Sequence, residues 1–152
     1  MKFSTRRDTE LTADQLFAAM TNFDRIERML LRRRVAVTRI DTAQEPETDM
    51  GWNIRFDWRG RERDLRLQLV RLDRPERMSI SGQSDAFDLA LDMTVIALSR
   101  SRSRLIYEAD IRPRNMRARL IIQTTRLGKA QIDKQYERGI ARMVDELTQE
   151  IR

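Results

Sequence analysis

From Trp52 to Ile111 the chain alternates between apolar and polar residues, one position at a time. Trp52, Ile54, Phe56 and Trp58 are interleaved with Asn53, Arg55 and Asp57. After a turn at Arg59-Gly60, Leu65, Leu67 and Leu69 alternate with Asp64, Arg66 and Gln68. Asp73-Arg74-Pro75-Glu76 is a second turn, and Met78 and Ile80 begin a short strand that ends at Gly82. Phe87, Leu89, Leu91, Met93 and Val95 then alternate with Asp88, Ala90, Asp92 and Thr94. Ser99 to Ser103 turns the chain again, and Leu105, Tyr107, Ala109 and Ile111 alternate up to Pro113. A period of two gives each strand one apolar and one polar face. Strands joined by short turns are antiparallel, and such a sheet keeps one face in water while the other must be buried.

The cover for that face lies at the end of the chain. From about Asn115 to Arg152 there is no proline, and the only glycines are Gly128 and Gly139, so the stretch reads as one long helix. Ile132, Tyr136, Ile140, Met143, Leu147 and Ile151 recur at helical spacing. They occupy a sector roughly 100° wide, an apolar stripe on a charged helix roughly 50 Å long. Upstream, Lys2 to Glu10 is an edge strand carrying Phe3. Thr12-Ala13-Asp14-Gln15 matches a capping box, which starts a helix through Leu16, Phe17 and Met20. Thr21-Asn22-Phe23-Asp24 starts another, running through Phe23, Ile26, Met29 and Leu30 to about Leu31. Arg32 to Asp41, with Val35 and Val37, reads as a strand. Thr42 to Met50, containing Pro46, is a polar, acidic loop. The order is one strand, two short helices, about six antiparallel strands and one long helix, an α+β architecture in a single domain over residues 1–152.

Composition removes several kinds of chemistry. The chain has neither cysteine nor histidine, so it has no disulfide, no thiol nucleophile and no thiolate or imidazole metal ligand. No calcium-loop pattern is present, and no metal or cofactor is assigned. The formal charge is +6, with 24 acids interleaved among the bases. Mixed signs make a solvated surface rather than a specific nucleic-acid footprint. The clusters Arg32-Arg33-Arg34 and Arg100, Arg102 and Arg104 offer transient contact with an anionic membrane, beside the plainer reading of solvated turns. MKFSTRRDTE has no apolar core of the secretory kind, and no apolar run approaches the ~20 residues that span a bilayer. The chain reads as cytoplasmic, and its oligomeric state stays open.

Element order, strand lengths and the amphipathic last helix resemble the START-like or SRPBCC superfamily, the helix-grip or polyketide cyclase/lipid-transport fold. The resemblance spans the chain, through KFSTRRDTELTADQLFAAMTNFDRIERM, WNIRFDWRGRERDLRLQLVRLDRPERMSISG and QYERGIARMVDELTQEI. It implies a seven-stranded curved antiparallel sheet gripping the last helix, with a cavity between them. Members bind lipids, sterols, quinones, polyketides or other apolar molecules, and some cyclise or dehydrate their ligand. The resemblance carries over no catalytic residue.

The residues expected at an apolar ligand are Trp52, Ile54, Phe56, Leu67, Met78, Phe87, Leu89, Leu91 and Tyr107 on the sheet. On the last helix they are Ile121, Thr125, Gly128, Lys129 and Ile132. The same sheet positions can equally be plain core. Small residues near Gly128 either leave room beneath the helix or mark a kink that rotates its register, as a separate stripe of Met116, Leu120 and Leu127 suggests. Asp88, Asp92, Glu108 and Asp110 fall on the polar face, where they can pair with Arg55, Arg63 or Arg66. The expected function is binding or transport of a hydrophobic small molecule (lipid, quinone or polyketide-like). One alternative is a cyclase/dehydrase-like enzyme working through Tyr107, Tyr136, Thr125 or Lys129. The other is a ligand-free protein-interaction module with a filled core and an exposed apolar patch at Leu120 and Leu127.

Overall fold

The computed structural model describes residues 1–42, 47–58, 60–149 and 151. Pro46 of the expected acidic loop, Arg59 of the expected turn and the terminal Arg152 lie outside the described residues. The elements are β1 (Lys2–Thr9), α1 (Ala13–Met20), α2 (Phe23–Arg32), β2 (Ala36–Arg39) and β3 (Gly51–Trp58). They continue with β4 (Arg61–Asp73), β5 (Arg77–Gln83), β6 (Phe87–Ala97), β7 (Ser103–Pro113), α3 (Met116–Thr125) and α4 (Lys129–Thr148). The strands form one seven-stranded antiparallel sheet in the order β1-β7-β6-β5-β4-β3-β2. This is the helix-grip α+β architecture. No helix is long and apolar enough to cross a membrane.

Local signals in the chain set the element ends. The capping box forms as written: Gln15 N–H donates to Thr12 Oγ1 at 3.1 Å, and Thr12 N–H donates to Gln15 Oε1 at 3.0 Å. Asn22 and Asn115 cap α2 and α3 by accepting from Arg25 N–H at 3.2 Å and Ala118 N–H at 2.8 Å. Satisfying these otherwise orphaned donors is worth about 1 kcal/mol per cap. Gly60 takes φ of 71° at the β3–β4 turn, a left-handed conformation that costs glycine nothing.

One expectation is corrected, and the kink expected as one reading of Gly128 is found. Arg32 ends α2 rather than starting a strand, and the chain turns through Arg34 at φ 64° so that β2 begins only at Ala36. The last helix is not continuous. A single 3₁₀ turn, Arg126–Gly128, separates α3 from α4. A Cβ on Gly128 would meet nothing within 4 Å, so the glycine stands in open space and its missing side chain is not what makes room beneath the helix. Val144, outside the six-residue stripe, is fully buried, while Ile151 lies beyond α4 and is exposed.

Burial changes systematically along the strands. On β3, Trp52 and Ile54 are buried, Phe56 is half-buried and Trp58 is exposed. On β4, Leu69 is fully buried but Leu67 and Leu65 only half. On β6, Val95 and Met93 are buried, whereas Leu91, Leu89 and Phe87 are half-buried. On β7 the same passage runs from Leu105 to Ile111. The antiparallel register aligns these gradients: Met78 faces Met93, which faces Tyr107, while Gly82 faces Leu89, which faces Ile111. One end of the concave face is thus packed solid by Leu16, Phe17, Met20, Phe23, Val144 and Leu147, and the other end is left open.

Met93→Ala should lower stability by about 2–5 kcal/mol in urea unfolding, because it opens a hole at the packed end. Gly128→Ala should raise stability by about 0.4–1 kcal/mol, since the helical connection admits a side chain there. A loss of stability in Gly128→Ala would show that the glycine is needed at the break.

Candidate functional site

The open end of the sheet is a cleft of about 1280 Å³ with a mouth to solvent. Its floor is the half-buried part of the concave face: Phe56 and Leu65 on β3 and β4, Phe87, Leu89 and Leu91 on β6, and Ala109 and Ile111 on β7. Phe3 and Met1 close it at β1. Its roof is Ile121, Ile122 and Thr125 on α3, with Ile132, Gln135 and Tyr136 on the first turns of α4. The 3₁₀ turn divides the roof between α3 and α4, and each is anchored separately. Ala118 and Ile122 hold α3, while Val144, Leu147 and Thr148 hold the far end of α4.

Phe56, Phe87, Leu89, Leu91, Ile121, Thr125 and Ile132 are placed on the cleft wall. Trp52, Ile54, Met78 and Tyr107 lie instead in the buried core at the packed end, and Leu67 packs beside them. Trp52 is fixed there by donating from Nε1 to Glu27 Oε1 at 2.7 Å and by a tilted contact with Phe23, centroids 5.0 Å apart. Gly128 is exposed and off the wall. Lys129 is also off the wall: its ammonium donates to Asp133 at 2.9 Å and lies 5.1 Å from the centre of the Phe3 ring. Met116, Leu120 and Leu127 are exposed along α3 and the turn after it, so the outward stripe exists beside the cleft.

The polar groups considered for chemistry are mostly engaged. Tyr136 donates its hydroxyl to the backbone oxygen of Tyr107 at 3.0 Å. Thr125 donates its hydroxyl to Ile121 O at 2.7 Å, within its own helix. Burial pushes the Tyr107 phenol up to about 12. Tyr136 is pushed up further, first by burial and then by its neighbours Tyr107 and Glu108. Both phenols are therefore protonated at neutral pH, with little tendency to give up the proton.

The acids are paired on the outer face. Asp88 lies 3.7 Å from Arg114, Asp110 accepts from Arg112 at 3.0 Å, and Asp92 accepts from Ser79 at 2.6 Å. Arg55 serves Asp64 at 3.1 Å and Glu62 at 3.4 Å. Of the basic clusters, Arg32 and Arg33 bind Glu146 at 2.6 and 3.0 Å, and Arg104 binds Asp8 at 2.7 Å. Arg63 is the correction. It does not join Arg55 on the water face but lines the cleft, with its guanidinium 5.0 Å from the centre of the Trp58 ring. The signal was in the parity, because Arg63 is an odd position of β4, like Leu65, Leu67 and Leu69. Counting it as a surface arginine overrode its phase.

The chain matches no family model and no curated protein in sequence. Its structure is similar to that of an aromatase/cyclase from Streptomyces sp. R1128, at 10% identity and a TM-score of 0.69, over 100% of this chain and 96% of that one. It is similar to norcoclaurine synthase from Thalictrum flavum, at 7% identity and a TM-score of 0.69, over 100% and 88%. A START superfamily protein from Mycobacterium smegmatis matches at 10% identity and a TM-score of 0.58, over 90% and 97%. At such identities the likeness speaks to the fold: the chain has the START-like helix-grip fold.

Raised phenol pKa values tie stability to pH in a definite direction. The folded state holds the Tyr107 proton more tightly than the unfolded chain, so this stabilisation is complete below pH 10 and is lost as pH rises through about 12. Ultraviolet titration of tyrosinate should show neither phenol ionising with ordinary affinity while the fold persists, and thermal midpoints should fall across that interval. Normal titration of both tyrosines in the folded protein would refute the burial described.

Proposed function

We propose that this protein binds a hydrophobic small molecule, such as a lipid, quinone or polyketide-like compound, non-covalently between its sheet and C-terminal helices. One observation carries the reading: the apolar face is left unfilled at one end, where Phe87, Leu89, Leu91 and Ile132 wall a cleft of about 1280 Å³. Concave apolar sites with a few polar groups are where small ligands bind. Seating a molecule there would remove from water apolar area that the fold leaves wet, worth roughly 25 cal/mol per Å². The neighbours in structure support the ligand class, since one is an aromatase/cyclase and another was solved with dopamine and hydroxybenzaldehyde.

Binding is favoured over turnover by the state of the polar groups. Tyr136 and Thr125 spend their hydroxyl protons on backbone carbonyls, Lys129 is paired with Asp133, and Tyr107 sits in the core. A general acid or base must reach the reacting atom, and none of these is free to do so in this conformation.

Native mass spectrometry before and after mild denaturation tests the proposal. An apolar mass that leaves on denaturation is the expected result. Ile121→Trp, which places a large ring in the cleft from the roof, should weaken uptake of an apolar dye by about tenfold or more while shifting the thermal midpoint little. A wild-type protein that takes up neither lipid nor dye after delipidation would overturn the reading.

A further inference from the structure

The cleft holds a polar group that the fold itself does not use. Arg63 stands directly across from Phe56 in the β3–β4 register, at a position whose parity faces the concave side. Among the described residues, its Nε is the one buried side-chain nitrogen or oxygen without a hydrogen-bond partner. The acids on either side do not relieve it. Glu62 and Asp64 also border the cleft, but they have the opposite parity and are held by Arg55. Putting an arginine where Leu65 and Leu67 continue the row costs stability, because a half-buried donor without a partner loses its water and gains nothing in return.

The guanidinium is nevertheless held in place. It lies 5.0 Å from the centre of the Trp58 ring, and Trp58 is itself on the cleft wall. A cation–π contact with an indole restrains the guanidinium, whose planar fork of N–H donors can still meet a partner in its own plane. A carboxylate matches that fork with two parallel charge-assisted hydrogen bonds. We infer that Arg63, in cation–π contact with Trp58, is the head-group subsite of the cleft, and that the natural ligand is an apolar carboxylic acid. Its carboxylate would meet Arg63 at the β3–β4 end, and its apolar body would lie along Leu89, Leu91 and Ile132. This inference rests on the binding function proposed above and narrows the ligand class.

The test is a fluorescence titration of the intact protein with cis-parinaric acid and, separately, with its methyl ester, which keeps the chain and removes the charge. Wild type should bind the acid about tenfold or more tightly than the ester, the scale of hydrogen bonds to a charged group. Arg63→Leu should lose that preference while holding the ester within about twofold of wild type, and its thermal midpoint should not fall. Arg63→Lys should keep part of the preference, having the charge but not the planar fork. Arg100→Leu removes the same charge at a distant turn and should leave the preference intact. Equal binding of acid and ester by wild type, or a preference that survives in Arg63→Leu, overturns the inference. In those cases tight ester binding still leaves the cleft as an apolar site. If neither probe binds wild type, the binding function fails and the head-group subsite fails with it.

Discussion

Val144 and Leu147 are closed off from solvent in the same cluster as Leu16, Phe17, Met20 and Leu105. This seating of α4 on the sheet decides the position of the cleft. The helix is buried at its C-terminal end, whereas in its first turns Ile132 and Tyr136 are only half-buried, with Tyr136 tied to β7 by its hydrogen bond to Tyr107 O.

The packed end is reinforced electrostatically from α2. Arg25 donates to the backbone oxygens of Glu146 and Leu147 at 2.9 and 3.3 Å, satisfying carbonyls that the end of α4 leaves without partners. Arg32 and Arg33 hold the Glu146 side chain. Cations at a helix C-terminus also complement its dipole. The arginine run that reads in sequence as a loose basic patch is thus partly a clamp between α2 and α4. The clamp and the apolar plug coincide at the packed end, away from the open cleft.

At that end the usual rules of sheet construction are relaxed in two places. Gly82 lets Leu67 and Leu89 close over it, since a Cβ there would lie 2.8 Å from Leu67 Cδ2 and 3.1 Å from Leu89 Cβ. Arg63 interrupts an apolar row with an unpaired donor. A buried donor with no hydrogen-bond partner among the described residues is the kind of local inconsistency that natural proteins concentrate at functional sites.

The sequence by itself determined most of the secondary structure and the antiparallel succession of its strands. Period-two alternation from Trp52 to Ile111 names the strands and their apolar faces, and the Thr12–Gln15 capping box and the Asn22 cap mark helix starts; these are local, backbone-level rules that need no tertiary contact. It also put Phe56, Phe87, Leu89, Leu91 and Ile132 on the cleft wall, because facing inward is a matter of phase. What it could not separate was filled from unfilled. Trp52, Ile54, Met78 and Tyr107 have the same phase as Phe56 and Phe87, yet the first four meet α1, α2 and α4 and become core. That outcome depends on where the helices land, which long-range packing sets. The break at Arg126–Gly128 and the orphaned Arg63 were decided at the same level, since how far a helix lies from a sheet and whether a charge finds a partner are properties of the assembled chain.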